Sequence, residues 1–105
     1  MNTMIGYECK DHTLILYLPE EIDHHSSREI REETEEWIRT RGVRHMVFDF
    51  THTTFMDSSG VGALLGRYKR MRERGGTVSI CGADARIRRI LRISGVDKLI
   101  PGIGE

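Results

Sequence analysis

The sequence predicts one α/β domain built on a mixed, mostly parallel sheet, in the order β-β-α-β-α-β-α-β. Three observations predict it. Apolar runs suited to strands alternate with stretches whose apolar residues recur at spacings of three and four. Such alternation gives parallel strands joined by right-handed crossovers. The first two apolar runs stand only a polar turn apart, which makes an opening hairpin. A length of 105 residues suits one compact core, with no internal repeat, low-complexity run or linker.

Residues 4–10 and 13–18 read as the hairpin strands, with Lys10-Asp11-His12 as the turn. Leu14-Ile15-Leu16-Tyr17-Leu18 is nearly continuous apolar, as expected of a strand covered on both faces, and Pro19 stops it. The first helix is predicted from about Ser27 to Arg41, opened by a Ser26–Glu29 capping box and closed by Gly42. Its buried side is Ile30, Trp37 and Ile38, and Glu32, Glu33, Glu35 and Glu36 cover the outside. The third strand spans about 44–50. The second helix, about 59–74, presents Val61, Leu64, Leu65, Tyr68 and Met71 on one face and closes at Gly75-Gly76. Gly62 and Gly66, one turn apart, are expected to let this helix approach the sheet closely. Thr77 to Cys81 forms the fourth strand. Asp84 caps a third helix with Ile87, Ile90 and Leu91 inward, Arg86, Arg88, Arg89 and Arg92 outward, and Gly95 at its end. A short last strand is expected over Val96–Ile100, before Pro101.

Composition narrows the function. No apolar run approaches a membrane span, and the first ten residues lack the layout of a signal peptide, so a cytoplasmic protein without a membrane partner is expected. Cys9 and Cys81 belong to no paired motif and read as reduced core thiols. Formal net charge is zero but unevenly spread. Residues 1–57 carry 6 Lys/Arg against 12 Asp/Glu, a balance of −6; residues 58–105 carry 10 against 4, a balance of +6. Solvated helix faces explain this, and so does a basic surface that steers an acidic protein partner. The basic half has almost no interleaved aromatics, which argues against nucleic acid.

The segment Phe55-Met56-Asp57-Ser58-Ser59-Gly60-Val61-Gly62 links a buried strand to a helix start. It matches only the back half of a G-x-S-x-G elbow, and the five histidines form no triad signature, which argues against a hydrolase. Gly60, Gly62 and Gly66 follow G-x-G-x-x-x-G spacing, neither the dinucleotide fingerprint nor a P-loop, so helix packing is the stronger reading and nucleotide binding the weaker one. Asp23, His24 and His25 have no second cluster at zinc spacing and read as capping or surface residues. Ser58 and Ser59 remain. Two readings fit them: both are simple helix caps, or they form a rigidly displayed modification site, since a helix N-terminus tolerates added negative charge. A phosphate on Ser58 adds a charge of about −1.5 to −2 beside Asp57.

These residues, followed by Leu65-Gly66-Arg67-Tyr68-Lys69, resemble the STAS domain of bacterial anti-sigma factor antagonists, and within it the stage II sporulation (anti-sigma F) group. Ile22-Asp23-His24-His25, Arg44-His45 and Ser94-Gly95 fit as well, and the resemblance covers roughly residues 4–100 of a single domain spanning 1–105. It implies partner switching: the bare antagonist binds an anti-sigma factor that is also a serine kinase, freeing a sigma factor; the kinase phosphorylates Ser58; a PP2C-like, metal-dependent phosphatase resets it. Asp23 and Asp57 match positions flanking that serine. The implied contact surface is Asp23, Asp57, Ser58, Ser59, Gly60 and Gly62. The chain is then substrate and ligand, not enzyme, and needs no cofactor. The same resemblance leaves open an interaction module in another pathway, such as general stress or a non-sigma target. Two departures stand out. Pro19-Glu20-Glu21-Ile22-Asp23 replaces the usual Gly-Glu-Leu-Asp-like loop, and the chain ends at Gly102-Ile103-Gly104-Glu105 where relatives often carry a further helix. Apolar surface uncovered there favours self-association, so a monomer or weak homodimer is expected.

Overall fold

The computed structural model describes residues 5–103. Its elements are β1 (Gly6–Lys10), β2 (Thr13–Tyr17), β3 (Glu21–Ile22), α1 (His24–Arg41), β4 (His45–Asp49), β5 (Phe55–Met56), α2 (Ser58–Glu73), β6 (Thr77–Cys81), α3 (Ala85–Ile93), a 3₁₀ turn (Val96–Lys98) and β7 (Gly102–Ile103). The main sheet runs β1-β2-β4-β6-β7, antiparallel at β1–β2 and parallel thereafter. The hairpin turns at Asp11 and His12, both with positive φ, as a two-residue turn with the strands' own twist requires.

The predicted α/β architecture and mixed sheet are present. The expectation that β2 is covered on both faces is not. Leu14 and Leu16 are fully buried, while Ile15 is half-buried and Tyr17 exposed. The register puts Leu14, Met46 and Val78 in one row and Leu16, Phe48 and Ile80 in the next. These six join Ile30 and Ile38 of α1, Leu64 and Met71 of α2, and Ile87 and Leu91 of α3 in one core. Every crossover after β2 steps the same way across the sheet, so all three helices pack on one face.

Four further expectations are corrected. α1 starts at His24, three residues earlier than predicted, because Asp23 and Ser26, not Ser26 and Glu29, form the capping box. Ser26 N–H donates to Asp23 Oδ1 at 3.0 Å and Asp23 N–H to Ser26 Oγ at 2.8 Å. The buried stripe of α1 is Ile30, Thr34 and Ile38. Trp37 is half-buried at the margin, 6.2 Å from the Tyr7 ring and 5.5 Å from the Arg41 guanidinium. Glu35 is not merely solvated: it accepts from Arg67 at 2.9 Å and from Arg70 at 2.9 Å, tying α1 to α2. Gly42, with φ +60°, ends α1 as predicted. Val96–Lys98 is a 3₁₀ turn rather than a strand. The last strand lies beyond Pro101, whose carbonyl accepts from Ile80 N–H at 3.0 Å. Proline has no N–H for a ladder but keeps its acceptor.

Candidate functional site

The short parallel pair β3–β5 builds the site. Glu21 faces Phe55 and Ile22 faces Met56, and Asp57 N–H donates to the Ile22 carbonyl at 3.1 Å. The residues after both strands, Asp23 and Asp57, are the N-caps of α1 and α2. Two helix N-termini, each closed by a carboxylate, thus stand side by side. The Pro19–Asp23 segment is held to this arrangement by hydrogen bonds. Thr53 Oγ1 donates to the Pro19 carbonyl at 2.8 Å, and Thr54 N–H to the Glu20 carbonyl at 2.8 Å. Two-residue strands leave no periodic pattern, which is why neither was predicted from sequence.

Asp57 Oδ1 accepts from Ser59 N–H at 2.9 Å, Gly60 N–H at 3.2 Å and Ser59 Oγ at 2.6 Å. The Ser59 hydroxyl bond first, then those two backbone donors, hold the Asp57 carboxyl below its ordinary range against partial burial and the nearby Asp23 charge. The Ser26 N–H does the same for Asp23. Asp57 is therefore the cap. Ser59, half-buried, serves it, and the idea that both serines cap does not hold. Ser58, the first residue of α2, is exposed and its hydroxyl has no hydrogen-bond partner among the described residues.

Gly60 is buried beneath these groups. A Cβ there would lie 2.5 Å from Met56 Cγ and 2.9 Å from Ile22 Cγ2. Gly60, not the predicted Gly62 and Gly66, is the close-approach position; the latter two meet nothing within 4 Å. Gly62 instead lies exposed one turn after Ser58, on the same helix face. All three glycines lie inside α2 rather than in a loop before it. His24 and His25 are exposed, and among the described residues no group of three or more His, Cys, Asp or Glu forms a metal cluster.

Sequence reading missed two features. Phe55, 49% exposed, stands two residues from the Asp57 cap; its alternation with buried Met56 was the available signal. The Glu35–Arg67–Arg70 cluster was also missed, since its partners lie more than thirty positions apart in sequence. The two arginine hydrogen bonds, Arg70 first, keep the Glu35 carboxyl low. Among the described residues no helix is long and apolar enough to cross a membrane.

The fold and site define a small α/β domain with three helices on one face of a mostly parallel sheet and an aspartate-capped Ser-Ser-Gly first turn of α2 beside the start of α1. The chain belongs to the STAS domain family, whose profile matches residues 4–104. The anti-sigma F factor antagonist of Paenibacillus polymyxa is 39% identical over 101 residues, covering 96% of this chain and 86% of that protein. The structure of the anti-sigma factor antagonist SpoIIAA in its unphosphorylated form is similar at a TM-score of 0.85 and 27% identity, over 96% of this chain and 89% of that one. That of the Bacillus cell fate determinant SpoIIAA in the phosphorylated form gives 0.77 at 27% identity, over 96% and 92%.

Proposed function

We propose that this chain is a cytoplasmic anti-sigma factor antagonist that binds an anti-sigma factor with serine kinase activity while Ser58 is bare, and lets go once Ser58 is phosphorylated. A PP2C-like phosphatase returns it to the binding form. The observation that carries this reading is the unbonded, exposed Ser58 hydroxyl at the start of α2, next to the Asp57 cap. The 39% identity to an anti-sigma F factor antagonist, and the existence of a phosphorylated form of a similar protein, support it. The docking surface is Asp23, Asp57, Ser58, Ser59, Gly60 and Gly62, with Phe55 as an apolar anchor at its edge.

Magnitudes explain why such a switch releases a partner without unfolding its carrier. A phosphate at the first turn of α2 gains about 0.3–1 kcal/mol from the helix dipole, which offsets repulsion from Asp57 in water. Within an interface the same dianion loses its hydration, and an uncompensated buried charge costs several kcal/mol. Fold stability changes little; partner affinity collapses. The test is incubation with the candidate kinase and ATP, followed by intact mass and peptide mapping. One phosphate is expected, on the peptide containing Ser58, and none on Ser58→Ala. A phosphate mapped to Ser59 in the wild type, or none from a kinase active on a control substrate, overturns the reading.

A further inference from the structure

The +6 balance of residues 58–105 includes four arginines on α3: Arg86, Arg88, Arg89 and Arg92. Two of them line a cavity of about 290 Å³ at the C-terminal end of β6, between α3 and the Val96–Lys98 turn. Ile80, Leu91 and Ile100 close its floor and are buried. Arg88, Arg92 and Asp97 line its mouth and are exposed. Arg88 and Arg92 lie one turn apart on α3 and so share a face. Among the described residues Arg86 pairs with Asp84 at 3.6 Å, while Arg88, Arg89 and Arg92 pair with no carboxylate, Asp97 included. Gly82 and Ala83 belong to the same lining. Gly82, at φ +73°, turns the chain out of β6, and a Cβ there would strike Thr51 Oγ1, so this wall is bare backbone. The Ala83 N–H has no acceptor among the described residues.

We propose that this cavity binds a small hydroxylated phosphomonoester, of the sugar phosphate class. Its volume is at the lower end of the roughly 300–1,000 Å³ of ligand pockets, which suits a small molecule and not a peptide helix. The apolar floor is almost closed to solvent, so recognition rests on the polar mouth. Two guanidiniums without carboxylates on one side call for a dianion, because each presents a planar fork of donors that matches phosphate oxygens. The Ala83 N–H offers a further donor. Asp97 decides what stands at the other end. A carboxylate there accepts from hydroxyls and repels a second anionic group, which favours a sugar phosphate over a dicarboxylate. This site does not depend on the reading of Ser58: it lies on a different helix, and none of its lining residues belongs to that surface.

The probe is ribose 5-phosphate, titrated into the full chain by calorimetry and by amide chemical shifts. One molecule is expected to bind per chain, with a Kd below about 1 mM. The largest shifts are expected at Gly82, Ala83 and the α3 residues around Arg88 and Arg92. Ribose, inorganic phosphate and succinate, at matched ionic strength, are each expected to bind at least about tenfold more weakly. The exposed double variant Arg88→Ala/Arg92→Ala is expected to lose at least about tenfold in affinity for ribose 5-phosphate at an unchanged melting temperature. Arg89→Ala removes an exposed arginine of the same helix that lies outside the cavity, and is expected to leave affinity unchanged, which separates a site from a general positive field. Asp97→Asn is expected to narrow the preference over succinate, and Ser58→Asp to change nothing. An absence of heat and shifts at about 10 mM ligand overturns the proposal. So does an equal loss in Arg89→Ala and the double variant, succinate binding as tightly as the sugar phosphate, or shifts confined to residues away from the cavity.

Discussion

At the scale of the residue, two neighbouring serines with similar sequence surroundings have been given different work. Asp57 engages the Ser59 hydroxyl and its N–H, and leaves the Ser58 hydroxyl free. Replacing Ser58 by Asp adds one negative charge and removes no hydrogen bond seen here. The expected outcome is an unchanged melting temperature and an affinity for the cognate kinase at least about 100-fold weaker, corresponding to about 2.8 kcal/mol. Equal affinities by calorimetry would remove the electrostatic argument. Asp57→Ala acts differently. It strips α2 of its cap and leaves the Ser59 hydroxyl without an acceptor, and should cost about 1 kcal/mol of stability in urea unfolding. Ser59→Ala, with the cap intact, should cost less and should leave Ser58 phosphorylation in place.

At the scale of the element, α2 carries glycines of two kinds. Gly60 sits where β3, β5 and α2 converge, and a methyl group there meets Met56 Cγ and the branched Ile22 side chain, both buried. Gly60→Ala should destabilise by about 1–3 kcal/mol as an overpacked site. Gly66 meets nothing within 4 Å and lies in a helix interior. Gly66→Ala should therefore stabilise by about 0.5–1 kcal/mol through helix propensity. Opposite signs in chemical denaturation check both. These signs could not be read from the spacing of the glycines, which pointed at Gly62 and Gly66 as the packing pair. Spacing says which residues share a helix face; it does not say which end of the helix reaches the sheet.

At the scale of the molecule, capping and inter-helix ion pairing share one pH signature. Asp23, Asp57, Asp84 and Glu35 are all held below their ordinary values, chiefly by hydrogen bonds to the ionised form. A depressed carboxyl stabilises the folded state above its unfolded value, near pH 4, and loses that contribution as pH falls through the folded value. The melting temperature should be nearly level from pH 7 to about 5 and fall steeply below about pH 4. Glu35 joins α1 to α2 through Arg67, whose side chain is only 11% exposed. Glu35→Gln should cost about 1–2 kcal/mol at pH 7, because it leaves a largely buried guanidinium without its charged partner, and should flatten the acid decline. An unchanged acid slope in that variant would show that the helix caps alone carry it.

The order of the main-sheet strands and the helices, the helix faces of α2 and α3, the Gly42 stop and the place of Ser58 at a helix start were legible in the chain, because each depends on neighbours within a turn or a strand. Ser58 stood out through a local pattern of strand, aspartate, hydroxyls and glycine. What only the tertiary structure decided were pairings between distant segments. The β3–β5 contact brings Asp23 and Asp57 together across thirty-four positions, Glu35 finds Arg67 and Arg70, and the sheet leaves one face of β2 without helices. Local sequence sets propensity and pattern, but which carboxylate caps a helix, and which serine is left free beside it, depends on hydrogen-bond distances that exist only once the sheet has aligned the two helix starts.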